Sequence, residues 1–362
     1  MHHAVVTTPA PTSAGAGGPE PTVLRVLHVV EKFSSGVGSA IAQYTRSLPH
    51  ADHYLLSTTA VDAEGDLADQ ASFAGVFRMG GSVPAKVRRV RQVVAEVHPD
   101  VVHAHSSHGG AFARLAVRSG RHHLVYTPHC YGFERRDVGR PARAAFWLAE
   151  ALLAPNTSVL AACSDREEEL SRWRWSRARR VVVPNVAPVA AGPAGRVRGT
   201  PPLLAGGGRI SPQKDPGFFA DVVTAVRREE PDLRAVWLGD GTGDGRAALE
   251  DAGVEVTGWL PRSLVLERLA DADLYLHSAR WEGFPLMVAE ATALGVPTLV
   301  RPVSSFATVP ARVRPADAVA EALACLRDPV RADENLALWA GVLAENTVEV
   351  QARRLAEAYA RR

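Results

Sequence analysis

Residues 278–300, S-A-R-W-E-G-F-P-L-M-V-A-E-A-T-A-L-G-V-P-T-L-V, constrain this chain more than any other stretch. They read as a strand end, a Gly-Pro turn, a short amphipathic helix and a second buried strand, with Glu282 and Glu290 eight residues apart. Pro285 suits the first helical position, where its missing N–H costs nothing, and the helix behind it offers free backbone donors. The N–H groups near Leu286 and Met287, at the positive end of the helix dipole, therefore favour a phosphate group close by. Glu282 precedes the turn and Glu290 lies about two turns into the helix, so both can face one cleft. A purely apolar reading leaves these two acids unexplained, whereas sugar and ribose hydroxyls are donors that carboxylates accept from.

Strand and helix alternate along the rest of the chain. Residues 1–22, rich in Pro, Ala, Gly, Ser and Thr, are expected to be disordered. Residues 23–30 (V-L-R-V-L-H-V-V) read as a buried parallel strand, and 31–39 as a glycine-containing loop opening a helix over 40–48. Gly36 and Gly38 would let backbone approach a ligand there, although a plain helix-start turn reads as well. A strand at 53–57, a helix at 85–97 and a strand at 100–105 follow, the last running into the loop S-S-H-G-G. His103 and His105 share one strand face, with His108 just beyond. A metal site needs three or four converging ligands, and the expectation is instead of histidines facing a cleft at a strand end, with no metal. Residues 124–134 form another strand and loop, carrying His129 and Cys130; a packed cysteine is expected over thiol chemistry, because adjacent side chains rarely point the same way.

A helix over 139–153 bears an Arg face and the apolar set Phe146, Trp147, Leu148 and Leu152, and residues 171–180 interleave Arg with Trp. Such helices suit either a solvated face or an anionic membrane surface or acidic acceptor. After V-V-V-P-N at 181–185 comes an Ala/Gly/Pro-rich linker, and then a strand that delivers Arg209 and a turn that delivers Lys214. Two cations just ahead of a helix can neutralise a diphosphate. The glycine-rich segment 235–245 reads as a turn, since Asp240 and Asp244 would repel phosphate. Asp271 and Asp273 close a helix and start a strand, with no metal role expected.

The pattern E-G-F-P-L-x-x-x-E, from Glu282 to Glu290, resembles the Glu-x7-Glu signature of retaining, family-4-type glycosyltransferases (glycosyl transferases group 1). The resemblance covers nearly everything after the tail. It implies the GT-B fold, an α/β architecture of two Rossmann-like doubly wound domains facing across a cleft. Residues 23–187 would form the acceptor-side domain, 188–201 the linker, 202–335 the nucleotide-sugar domain, and 336–362 helices crossing back to the first. It further implies that Arg209 and Lys214, an Arg-x4-Lys pair, stabilise the donor diphosphate, that Glu290 holds the ribose, and that Glu282 and His129 hold the donor sugar. Gly36 and Gly38 would close over the phosphates, Leu260 would hold the base through backbone, and Phe284, Leu286 and Met287 would line the donor site. The chain departs from the family at Cys130, where glycine is usual, and at R-P-V-S-S-F (301–306), where a Gly-Gly turn is usual.

Composition limits the partners. The 362 residues carry 41 basic and 39 acidic side chains, a net charge of +2, so nothing calls for nucleic acid. Three cysteines without C-x-x-C spacing argue for a reducing compartment, and no apolar run approaches a membrane span or signal-peptide core. A cytoplasmic protein is expected, peripheral at the inner membrane face if the basic helices touch lipid. The resemblance thus implies transfer of a sugar, from a UDP-sugar by family frequency, to a small-molecule, lipid-linked or glycan acceptor, with retention, no metal and no prosthetic group. A nucleotide-sugar 2-epimerase and an inactive sugar-nucleotide-binding scaffold are the rivals; both bind such donors, and turnover with and without acceptor separates them.

Overall fold

The near-continuous apolar runs of the strands signal sheets covered on both faces, and the computed structural model of the chain contains two of them. It describes residues 23–58, 72–187, 189 and 199–361; the tail 1–22 and most of the linker 188–201 lie outside the described residues. The first sheet has seven parallel strands: β1 (Arg25–Val29), β2 (Asp52–Ser57), β3 (Gly75–Arg78), β4 (Val101–His105), β5 (His123–Thr127), β6 (Val159–Ala162) and β7 (Arg179–Val182). Their order, β3-β2-β1-β4-β5-β6-β7, reverses between β1 and β4. The second sheet has five: β8 (Leu203–Gly207), β9 (Arg234–Leu238), β10 (Glu255–Val256), β11 (Leu274–His277) and β12 (Thr298–Val300), in the order β10-β9-β8-β11-β12. In wound sheets of this kind ligands bind beyond the carboxyl ends of the strands at the reversal, here after β1 and β4, and after β8 and β11.

Alternation along each strand sorts its side chains. Leu27, Val29, Val102, Ala104 and Leu124 face the helix Val83–Val97, whose Val87, Val90, Val94 and Val97 recur at helical spacing. Val26, Val101, Val125 and Val159 face the other way, under the helices Ser35–Ser47 and Val348–Tyr359. The latter crosses from the second sheet: Gln351 accepts from Ser47 Oγ (2.6 Å) and donates to the Pro184 carbonyl (2.7 Å), while Leu355, Ala358 and Tyr359 enter the core. Burial of Leu355 alone contributes roughly 1.5–3 kcal/mol. The preceding helix, Pro329–Val342, stays on the second sheet, where Trp339 donates to the Thr298 carbonyl (2.8 Å) and packs against Phe306. The crossing therefore begins near residue 348 rather than 336.

Three local expectations are corrected. The glycine segment is not a loop: the helix begins at Ser35, so Gly36 and Gly38 lie in its opening turns. S-S-H-G-G is likewise the start of the helix Ser106–Ala116. Its glycines are there for close packing, since a Cβ on Gly109 would meet the Val29 carbonyl oxygen at 2.7 Å and one on Gly110 would strike the Tyr126 ring. Finally, His103 and His105 are fully buried and do not face a cleft, because the helices Ser35–Ser47 and Val348–Tyr359 cover their side of the sheet; His103 bonds to Tyr359 Oη and Thr127 Oγ1, both at 2.8 Å.

Candidate active site

Two loops leave adjacent strands of the second sheet and are stitched together. After β8 the chain passes Arg209 and Lys214 to the helix Pro216–Val226; after β11 it passes Glu282 to the helix Leu286–Ala293. Ser278 Oγ donates to the Lys214 carbonyl (2.6 Å), Arg280 N–H to the Gln213 carbonyl (2.9 Å), and Gln213 Nε2 to the Trp281 carbonyl (3.1 Å). These bonds bring the Lys214 ammonium onto the Glu282 carboxylate, with His277 Nε2 3.7 Å from the same oxygen. Burial alone would raise the Glu282 carboxyl, but Lys214 and His277 hold it down to about 2.

A stability signature follows from this pair. Because the folded-state value is depressed, the pairing stabilises fully above the ordinary value of 4.5 and is lost as pH falls through about 2. The difference in unfolding free energy between wild type and Glu282→Gln should therefore shrink across that window in urea titrations. A difference constant over the same range would contradict the pairing.

Across from this site, His129 and Cys130 follow β5 with left-handed backbone, φ 52° and 90°. That conformation is why glycine is usual at the second position, and it costs a side-chain-bearing residue of the order of 1–3 kcal/mol. The Glu167 carboxylate supports it, accepting from the Cys130 N–H and from the Cys163 N–H (2.9 Å). Burial pushes the Cys130 thiol well above its ordinary range, so it stays protonated. Gly283 fits directly against this loop: a Cβ there would lie 3.0 Å from both the Cys130 nitrogen and Glu167 Oε1. Asn185 Nδ2 adds a bond to the Phe284 carbonyl (2.8 Å). The two halves so meet at a cleft of about 350 Å³ lined by His129, Cys130, Arg209, Gln213 and Trp281 among others.

The remaining expected residues divide. Glu290 is wholly buried and lies about one turn into its helix rather than two, being the fifth residue of Leu286–Ala293; Pro285 caps that helix instead of occupying its first position. Its carboxylate pairs with Arg262, which follows Leu260 and the half-buried turn after β10. Leu286 and Met287 supply the helix's first amides, while the Met287 side chain packs inward over Gly207 and Phe284 meets Phe306 edge-on at 6.3 Å. Gly36 has open space where a Cβ would sit, whereas Gly38 is buried. Asp273 accepts the Gly199 and Leu203 N–H groups (2.9 and 2.8 Å), and Asp240 pairs with Arg246. Sequence reasoning missed Glu167 and Arg262. Arg262 had a signal, for a cation opening a helix opposes the dipole and asks for a partner.

Two parallel α/β domains with a cleft between their strand ends define the GT-B class of fold. Residues 35–186 match the family described as glycosyl transferase 4-like domain, and 201–328 that described as glycosyl transferases group 1. The GDP-mannose-dependent alpha-mannosyltransferase of Mycobacterium tuberculosis is 30% identical over 308 residues, covering 76% of this chain and 78% of that protein. The UDP-Gal:alpha-D-GlcNAc-diphosphoundecaprenol alpha-1,3-galactosyltransferase of Escherichia coli is 27% identical over 56% of this chain and 57% of its own. Among solved structures, Anabaena HepE in complex with UDP and glucose superposes with a TM-score of 0.74 at 15% identity, over 92% of this chain and 98% of that one. The chain belongs to the group 1, family-4-like glycosyltransferases.

Proposed function

We propose that the cleft transfers a hexose from a nucleoside diphosphate sugar, a UDP-sugar in first place, to an acceptor hydroxyl with retention at the anomeric carbon. The observation that supports this most is the Lys214–Glu282 pair, whose chain neighbours Gln213 and Trp281 line one cleft together with Arg209 and, from the other domain, His129. As the glycosidic bond breaks, charge accumulates on the diphosphate, and Arg209, Lys214 and the helix amides at Leu286 and Met287 act most where it develops. Lys214 would turn from Glu282 toward the phosphates, freeing that carboxylate to accept from sugar hydroxyls alongside His129. Glu290 would accept from the ribose, Leu260 would hold the base through backbone, and Gly36 and Gly38 would close over the phosphates. A donor phosphate oxygen can take the acceptor's proton on the same face, so no protein base is assigned. Two side-chain cations at the diphosphate make a metal unnecessary, and Asp273 is already committed to backbone N–H groups. The same reading takes 23–187 and 202–335 as the acceptor-side and donor domains.

GDP-mannose is the second reading for the donor, favoured by the 30% identical mannosyltransferase. Thermal unfolding with UDP, GDP and their sugars separates the two. The correct nucleotide at about 100 times its dissociation constant should add roughly 2.7 kcal/mol, a shift that Lys214→Ala should reduce more for the free diphosphate than for its sugar. Turnover in EDTA and the anomer of the product test metal independence and retention, and absence of any nucleotide shift would sink the reading.

The acceptor would be a small molecule, a glycan or a lipid-linked sugar. No helix among the described residues is long and apolar enough to cross a membrane. Trp147, Leu148, Leu152 and Trp175 are nevertheless exposed on and beside the Arg-bearing helix Arg140–Leu153. Aromatic rings among arginines suit the headgroup region of an anionic bilayer. The protein should co-sediment with phosphatidylglycerol vesicles and not with phosphatidylcholine ones, and Trp147→Ser with Trp175→Ser should abolish the difference.

A further inference from the structure

Twelve of the chain's 13 histidines lie before residue 190, and four of them form one continuous hydrogen-bonded file. His53 Nε2 lies 3.0 Å from the Leu48 carbonyl oxygen, and His53 Nδ1 lies 3.0 Å from His28 Nε2. His28 Nδ1 lies 3.0 Å from His105 Nε2, and His105 Nδ1 3.1 Å from His129 Nε2. The rings come from β2, β1, β4 and the loop after β5, four neighbours in the sheet. Their centroids are 5.2, 5.3 and 5.4 Å apart, with interplanar angles of 23°, 27° and 26°. That repeat follows the spacing of the strands that carry them. At the far end, His129 lines the cleft.

The file has a direction. A carbonyl oxygen can only accept, so the His53 hydrogen sits on Nε2 and donates to Leu48. Burial lowers the pKa of His53, His28 and His105, and brings His129 to about 4, so all four rings are neutral and carry one hydrogen each. His53 Nδ1 is then bare and must accept from His28 Nε2–H. By the same step His28 Nδ1 accepts from His105, and His105 Nδ1 accepts from His129 Nε2–H. Only Nδ1 of His129 remains for a ligand, and it carries a lone pair. Donation of its own N–H inward makes that lone pair a stronger acceptor.

We propose that the buried file His53–His28–His105 sets the tautomer of His129, so that His129 meets the bound sugar as a hydrogen-bond acceptor through Nδ1. This rests on the reading of His129 as a donor-sugar contact. His28, His53 and His105 are positioning residues, since they act through His129. The file orients a ring and does not conduct protons, because the Leu48 carbonyl at its end cannot take one on. A metal would need the same nitrogens: those of His28, His103 and His105 lie within 4.8 Å of one another. Both nitrogens of His28 and His105 are used in ring–ring bonds, and those of His103 by Tyr359 and Thr127.

Ring-15N histidine spectra of the full-length protein at neutral pH test this, with the His129 signals assigned by comparison with His129→Gln. Protonated Nε2 and bare Nδ1 at His129, His105, His28 and His53 is the expected result. An Nδ1–H ring or an imidazolium at His129 overturns it, as does stoichiometric zinc in the purified protein with shifted ring nitrogens. A kinetic pair gives an independent reading. His28→Gln can still accept from His105 and donate to His53, so it should keep most of kcat/KM. His28→Leu breaks the direction of the file and should lower kcat/KM about tenfold, measured well below a melting temperature that falls because the buried His105 N–H and His53 Nδ1 lose their partner. Equal losses in the two variants overturn the proposal. Should His28→Leu fail to fold, the wild-type spectra and His28→Gln decide. If no donor turns over, the glycosyl-transfer reading falls while the spectra still decide the tautomer.

Discussion

Lys214→Ala is expected to lower kcat by about 10²–10³-fold, the usual cost of removing one donor aimed at developing negative charge in a water-excluded site. The loss should fall on kcat more than on KM, because the ammonium is shared with Glu282 in the free enzyme and is needed most when the diphosphate gains its charge. A second effect accompanies it. Without the ammonium, burial dominates at Glu282 and its carboxyl rises from about 2. Lys214→Arg should recover part of the rate, since a guanidinium keeps the charge while its planar fork fits the loop less well. Steady-state rates with the donor found by thermal unfolding check this. A raised KM at an unchanged kcat would show that Lys214 only binds.

Glu290→Ala should be the most damaging single change to stability, costing about 3–5 kcal/mol in urea unfolding. Glu290 has no exposed surface, and its removal takes the paired carboxylate from the Arg262 guanidinium, whose pKa burial has already lowered to about 10. The double variant Glu290→Leu with Arg262→Leu should regain most of that loss, because an apolar pair avoids desolvating two charges. It should nevertheless fail to be stabilised by any nucleotide, if the carboxylate is what receives the ribose. A double variant that still responds to nucleotide would remove Glu290 from the site and leave it a structural role alone.

The architecture was legible because its signals are local. Apolar strand runs such as 23–30 and the valine spacing of Val83–Val97 each report a covered face without reference to anything distant. The motif around Glu282 was legible for the same reason. What remained hidden depends on contacts between segments far apart. Gly36, Gly109 and Gly110 read as loop residues by propensity, yet they sit in helices, two of them because the Val29 backbone and the Tyr126 ring leave no room for a Cβ. His103 and His105 looked open to a cleft because the two helices that bury them lie far off in the chain, Ser35–Ser47 before them and Val348–Tyr359 more than 240 residues after. The Glu290–Arg262 pair could be sensed only as an arginine misplaced against a helix dipole.

The crossing of the last helix bears on how the protein is made. The strands of the first sheet are complete at Val182, but Leu355, Ala358 and Tyr359 are translated about 170 residues later. At 5–20 residues per second the interval from β7 to that helix is roughly ten to thirty seconds. During it the nascent first domain carries an open apolar face and a His103 that lacks its Tyr359 bond, a surface open to a chaperone. A chain stalled or clipped just short of residue 348 would therefore keep that face open however well its second domain had folded.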